Sequence, residues 1–199
     1  WKLIKIGKHY YYQDRKFKIK LNTKNVYSKG MFENVCLAIK VALDLNIDKK
    51  VIQKALPFLS FEGRFQYLNK GKIKNKLNKN ELIMIDGAHA TADAQNLASY
   101  LKKIKIPKYG IWAMTKNKDP DLFIKQLKGV FKKIITMPIE SEISSVSAQE
   151  LYKVATENKF NVEKSDNFAQ ALKKISSKEK KIICVFGSLY LCGNILNKN

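Results

Sequence analysis

From residue 82 onward, short apolar runs alternate with longer amphipathic ones, and this alternation constrains the fold more than any other feature of the chain. The apolar runs are LIMID (82–86), YGIWAM (109–114), KIITM (133–137) and IICVFG (182–187). They are unbroken and rich in Ile and Val, as strands covered on both faces are. Between them, TADAQNLASYLKKI, DPDLFIKQLKGVF, SAQELYKVATEN and NFAQALKKISS carry helical spacing and open on usable caps at Thr91, Asp119, Ser147 and Asp166. Strand–helix alternation predicts an α/β fold with a mostly parallel sheet flanked by helices. Such sheets bind ligands at the carboxyl ends of their strands. Asp86, Met114 and Gly187–Ser188 are therefore expected on one rim.

The first sixty residues follow a different pattern. KLIKIG and HYYYQDRKFKIKLN suggest a hairpin with QDRK at a turn. In MFENVCLAIKVALDL, the residues Val35, Leu37, Ala38, Val41, Ala42 and Leu45 predict a one-faced helix. DKKVIQKAL predicts a second helix, capped by Asp48 and stopped before Pro57. The segment from Pro57 to Gly63 is the expected domain boundary, giving units at 1–60 and 61–199. Trp1 stands where a Met would open a chain, and a strand-like run begins at once, which points to a piece of a longer protein.

Charge is the next constraint. The formal net charge is +21, a value that raises nucleic acid as a partner. Only Arg15 and Arg64 are arginines, however, and phosphate and base readers lean on arginine's bidentate fork. Scattered lysines among many Asn and Ile fit a solvated surface, so neither nucleic acid nor membrane is expected as a partner. The densest run, KGKIKNKLNK (70–79), suggests an exposed loop or hairpin. Cys36, Cys184 and Cys192 sit in apolar stretches without ligand spacing, which suits reduced core thiols and a cytoplasmic protein.

Several residues carry possible chemistry. Asp86 ends a strand and precedes Gly87, Ala88 and His89, placing a carboxylate and an imidazole at the rim near a helix N-terminus. A capping Asp and a surface His explain the same residues equally well. Arg64 in FEGRFQ suits a phosphate clamp or an interdomain ion pair. Asn34, early in its helix, suits a purine edge or a cap. Ser188 and Gly193 in GSLYLCG suit ligand contact or strand-turn packing, and His9 has no partners nearby in sequence. No G-x-x-x-x-G-K-[ST], HExxH or CxxC run occurs.

The order of these motifs is more telling than any one of them. GRFQ, a strand ending DGAH, a strand followed by KNKD, and a terminal FGSLYLCG together resemble the folylpolyglutamate/dihydrofolate synthase family of the Mur ligase superfamily, in its C-terminal portion. KGMFENVCLAIKVAL resembles the family's Gly-x-His-Gln-x-x-Asn-Ala helix, with Asn34 in register. Departures are Ala90 for the Asn after DGAH, Met31 and Glu33 before Asn34, Val35 for Ala, and a longer lysine-rich insert. The resemblance implies the tail of a central ATP-binding domain over 1–60 and a Rossmann-like C-terminal ligase domain over 61–199. It implies an ATP- and Mg2+-dependent ligase of folate metabolism that adds L-glutamate to dihydropteroate or folate polyglutamates through an acyl phosphate. Its partners would be small molecules and its state a monomer. Asn34, Arg64, Asp86, His89, Lys118 and Ser188 would contact ATP in an interdomain cleft, with the P-loop and metal ligands upstream. Asp86 would meet the ribose hydroxyls or a metal-bound water, and the fragment alone would be inactive. A Mur-type peptidoglycan ligase is the alternative enzyme, disfavoured by GSLYLCG; a basic binding module is the alternative outside enzymes.

Overall fold

A computed structural model describes residues 1–199, which form two compact units, Trp1–Phe61 and Glu62–Asn199. In the first unit, β1 (Lys2–Ile6), β2 (His9–Gln13) and β3 (Lys18–Lys20) form an antiparallel meander in that order. Asp14 closes the second turn, its Oδ1 accepting the Lys16 and Phe17 N–H groups at 2.8 and 2.7 Å. Helix α1 (Lys29–Asp44) starts at Ser28, whose side chain caps Met31 N–H, and α2 (Lys49–Ala55) starts at the Asp48 cap. A 3-10 turn at Leu56–Phe58, with Pro57 inside it, ends the helical run.

The buried stripe of α1 is Met31, Val35, Cys36 and Ile39. The face expected to be buried is only partly so: Leu37, Val41 and Leu45 are 52%, 50% and 70% exposed. Both stripes obey a 3.6-residue period, so apolar spacing gives the helix but not which of two apolar faces this unit covers.

In the second unit, β5 (Glu81–Asp86), β6 (Lys108–Trp112), β7 (Lys133–Thr136), β8 (Val162–Lys164) and β9 (Lys181–Phe186) are parallel, with the short β4 (Gln66–Tyr67) antiparallel at one edge. The strand order is β4-β5-β9-β6-β7-β8. The last strand thus inserts between the two central ones. Helices α4 (Thr91–Lys102), α5 (Pro120–Lys125), α6 (Ala148–Glu157), α7 (Phe168–Ile175) and α8 (Leu189–Lys198) flank the sheet. One core runs through it, built on Ile83, Ile85, Ile111, Ile135, Ile183 and Val185. β4, β8 and α8 are additions to the sequence expectation.

Caps at Asp119 and Ser147 form as expected, the latter as a full capping box with Glu150. Two others shift by one residue. Ala90, not Thr91, occupies the N-cap of α4 and offers no side-chain acceptor, and Asn167 rather than Asp166 caps α7. The lysine-rich insert is no hairpin. It turns once as α3 (Lys72–Asn75), burying Ile73 while Lys72 is exposed and Lys74 Nζ donates to the Glu81 carbonyl at 2.9 Å.

At the amino ends of the strands, Glu81 and Lys181 form a fully buried ion pair with Nζ–Oε1 3.5 Å. Burial pushes the Glu81 carboxyl up, but hydrogen bonds from Ser177, Asn78 and Ser176 outweigh it and hold the group below its ordinary value. No helix is long and apolar enough to cross a membrane.

Candidate functional site

The carboxyl ends of three strands finish level. Asp86 of β5 lies opposite Phe186 of β9, and Trp112 of β6 lies opposite the same Phe186. The expected rim of Asp86, Met114 and Gly187–Ser188 follows from this register. Gly187 adopts φ +113°, and a Cβ there would stand 2.2 Å from the Ala113 carbonyl oxygen, so only glycine lets β9 turn into α8 here. Ser188, buried, caps α8 by accepting the Tyr190 N–H at 3.1 Å.

GRFQ lies against this rim. Gly87 N–H donates to the Gly63 carbonyl at 2.6 Å, and Gly63 N–H donates to the Gln66 side chain at 2.8 Å. Phe65 N–H donates to Asp86 Oδ2 and Ala88 N–H to Asp86 Oδ1, each at 2.8 Å. From the third segment, α8, Leu189 packs so closely that a Cβ on Gly87 would lie 2.3 Å from its Cδ2. Cys192 approaches Gly63 in the same way, its Cβ 3.1 Å from where a Gly63 Cβ would be. Segments 126 residues apart, from Gly63 to Leu189, thus form one packed block.

A strand-end carboxylate at a rim need not be buried, yet Asp86 is 2% exposed. Its burial raises the carboxyl to about 6, against hydrogen bonds from Phe65 and Ala88 and the nearby Arg64 charge, which lower it; Asp93 adds to the rise.

Outside the buried carboxylate stands a partly exposed charge cluster. Arg64 Nη1 lies 3.9 Å from Asp93 Oδ2, and the Arg64 side chain is 30% exposed. Asp93 Oδ2 also accepts the His89 N–H at 3.3 Å. His89 Nδ1 sits 2.7 Å from the Gly87 carbonyl oxygen, which can only accept, so Nδ1 carries the proton and Nε2 is left for a ligand. Asp93 was not anticipated, although its place four residues after His89, in the first turn of a helix, was a usable signal. The α4 N-terminus beside it has no side-chain cap, which leaves first-turn amides available to an anion.

The remaining candidates lie on other elements. Lys118, half-buried, lies in the loop after β6, where its N–H donates to the Thr115 carbonyl at 3.3 Å. Asn34 belongs to the first unit, in the interior of α1 and exposed, so it is not a cap. His9 is exposed at the start of β2. The three cysteines are free and buried. No three His, Cys, Asp or Glu side chains gather as a metal site, so the residues present do not by themselves fit a divalent ion.

By sequence, no curated protein matches the chain. Among solved structures, E. coli FolC in complex with DHPP and ADP superposes with a TM-score of 0.77 at 18% identity, covering 98% of this chain and 44% of that one. Mycobacterium tuberculosis folylpolyglutamate synthase, complexed with ADP and AMPPCP, gives a TM-score of 0.74 at 15% identity, covering 94% of this chain and 46% of that one. Thermotoga maritima folylpolyglutamate synthase gives 0.69 at 23% identity, covering 95% and 42%. The chain thus spans less than half the length of each of these structures, and the likeness establishes a shared fold. The family model described as dihydrofolate synthetase, C-terminal domain, matches residues 69–198, more than half of the chain. The chain belongs to the dihydrofolate synthetase C-terminal domain family.

Proposed function

We propose that this chain is the C-terminal portion of an ATP-dependent ligase that adds L-glutamate to dihydropteroate or to folate polyglutamates. Residues 1–60 are then the tail of the central ATP-binding domain, and residues 61–199 the ligase domain. The observation that carries this reading is the block of GRFQ, DGAH and GSLYLCG at the sheet's carboxyl rim, with Arg64, His89 and an uncapped helix N-terminus facing outward from it. The contents of related structures point the same way: E. coli FolC holds DHPP and ADP, and a bifunctional folylpolyglutamate synthase/dihydrofolate synthase holds Mn, AMPPNP and L-glutamate.

In this reading the substrate carboxylate attacks the γ-phosphorus of ATP and ADP leaves. The amine of glutamate then displaces phosphate from the acyl phosphate, losing a proton as the amide forms. Charge on the transferring phosphoryl group is what a protein must stabilise. Arg64 offers a planar fork of donors to phosphate oxygens, and His89 offers Nε2 to a hydroxyl or amine. Lys118, Ser188 and Asp86 are the further candidates for ATP contact on the second unit, and Asn34 is the candidate on the first. A divalent cation, magnesium in this reading, would neutralise phosphate charge when bound; its ligands are not assembled by this chain. The protein is taken to be monomeric and cytoplasmic.

The test is incorporation of labelled glutamate by the ligase that contains this chain, with dihydropteroate and with tetrahydrofolate monoglutamate as separate acceptors. Formation of ADP and a glutamylated product with either acceptor supports the reading. ADP formation that depends instead on a peptidoglycan precursor would move the protein to the Mur-type alternative.

A further inference from the structure

Helix α1 of the first unit is divided lengthwise into three strips. At about 100° per residue, its buried residues Met31, Val35, Cys36 and Ile39 occupy the first. Its four charged residues, Lys29, Glu33, Lys40 and Asp44, fall within about 60° of arc beside them. Lys29 pairs with Glu33 and Lys40 with Asp44, so this second strip satisfies its own charges in water. The remaining arc holds Asn34, Leu37, Ala38 and Val41, continued by the C-cap residue Leu45. All five are exposed and none is charged.

The chain is 28% charged, and the outer face of a surface helix is where such residues ordinarily collect. In α1 they crowd onto one strip and leave the adjacent one apolar over about three turns. The excess belongs to the whole unit. Eight of the thirteen exposed large apolar side chains lie in Trp1–Phe61, which holds under a third of the residues; Ile47, Val51 and Phe58 are among them. Contiguous apolar surface of this kind marks a face that something else covers.

The size of the strip narrows what that can be. Leu37, Val41 and Leu45 span about 12 Å of helix. A stable interface between two folded copies takes about 20–30 residues a side, so this strip falls well short of one. A partner tethered in the same polypeptide meets no such threshold, because its effective concentration is already high. Solved chains of this fold have the length to supply it: E. coli FolC superposes on 98% of this chain with 44% of its own.

We propose that the Leu37–Val41–Leu45 strip is an internal seam, covered in the complete protein by an apolar, uncharged face of the polypeptide that lies outside this chain. The proposal rests on the reading of residues 1–60 as the tail of a larger domain. It does not depend on what that domain's substrate is.

The experiment is thiol labelling with a maleimide on Val41→Cys and Lys29→Cys, in the 199-residue chain and in the complete protein. The three native cysteines are buried, so the background is low. In the 199-residue chain both introduced thiols should react at the rate of a free thiol. In the complete protein Val41→Cys should react about a hundredfold more slowly, while Lys29→Cys stays fast. Val41→Glu carries the comparison to stability. It should leave the melting temperature of the 199-residue chain unchanged and lower that of the complete protein by about 5 °C or more, where the carboxylate is buried unpaired. Should Val41→Glu leave the complete protein unfolded, the milder Val41→Cys still answers.

Fast labelling of Val41→Cys in both contexts would show that the strip faces water in the complete protein, and would overturn the proposal. Protection already present in the 199-residue chain would overturn it too, and a sedimentation mass of two chains would then name a second copy as the occupant. Equal protection of Lys29→Cys would mean that the charged strip is covered as well, against a seam confined to the apolar one. Failure of the complete protein to incorporate glutamate removes the ligase reading alone; the labelling contrast still decides the seam.

Discussion

Arg64 and Asp86 differ in exposure, and the difference sets what each substitution should do. Arg64 is partly exposed and its ion-pair partner, Asp93, lies at 3.9 Å, so little folding stability rests on it. In the complete ligase Arg64→Ala is expected to cost about 1.5–3 kcal/mol of ATP binding or turnover, with Arg64→Lys restoring only part because an ammonium lacks the fork. Steady-state kinetics check this, and unchanged KM and kcat in Arg64→Ala would remove Arg64 from the site. Asp86 is buried with a folded-state value of about 6 against an ordinary 3.8. Because the value is raised, the stabilisation belongs to the protonated form: it is fully present below 3.8 and lost as pH rises through about 6. Relative to Asp86→Asn, the wild-type second unit should therefore lose about 3 kcal/mol of unfolding free energy across that window. Urea titrations followed through Trp112 in a Trp1→Phe background would measure it, and parallel pH profiles for the two proteins would contradict it.

At the scale of elements, close backbone approach governs the rim. Helix α8 can begin where it does because Gly187 has no Cβ to strike the Ala113 carbonyl, and it can lie where it does because Gly87 leaves room for Leu189. Gly187→Ala pairs a positive φ with a backbone clash, whereas Gly87→Ala meets chiefly the end of a flexible side chain. The first should cost more than about 3 kcal/mol and the second about 1–3 kcal/mol, compared by thermal denaturation. Equal losses would show that α8 shifts freely. The lysine-rich insert was legible as surface but not as a helical turn, since KGKIKNKLNK has no periodicity beyond the buried Ile73 and Leu77 beside it. Helix α1 was legible as a helix but not as to its covered face, because two apolar stripes of equal period compete along it.

For the whole molecule, the two units are unequally built. The second has a six-stranded sheet and a continuous core, while the first has a three-stranded meander, two helices and several exposed apolar side chains, including Phe58 at 81%. Hydrogen exchange should accordingly find the slowest amides in β5, β9 and β6 and faster ones throughout residues 2–58. The reverse order would overturn this ranking. The sequence also holds no P-loop, so no cradle of backbone amides with its lysine is available for the phosphates. The 199-residue chain should bind MgATP only at millimolar concentration or weaker, about −4 kcal/mol, and should not incorporate glutamate. Calorimetry and a labelled-glutamate assay test both. Micromolar affinity or turnover above background would show a more self-contained site.

The sequence by itself determined the α/β class, the parallel strands and their level ends, because unbroken Ile- and Val-rich runs between amphipathic helices have few other ways to bury both faces. It also determined the family, through the order of GRFQ, DGAH and GSLYLCG, which covers regions where backbone geometry admits few residue types. Only the tertiary structure decided that Asp86 is buried and hydrogen-bonded. Its exposure depends on a turn twenty-one residues before it, which brings the Phe65 N–H to its carboxylate, and on β9 and α8 arriving a hundred residues later. Burial and hydrogen bonding are properties of that assembly. No local pattern around Asp86 encodes them, and the same holds for the meeting of Asp93 with Arg64.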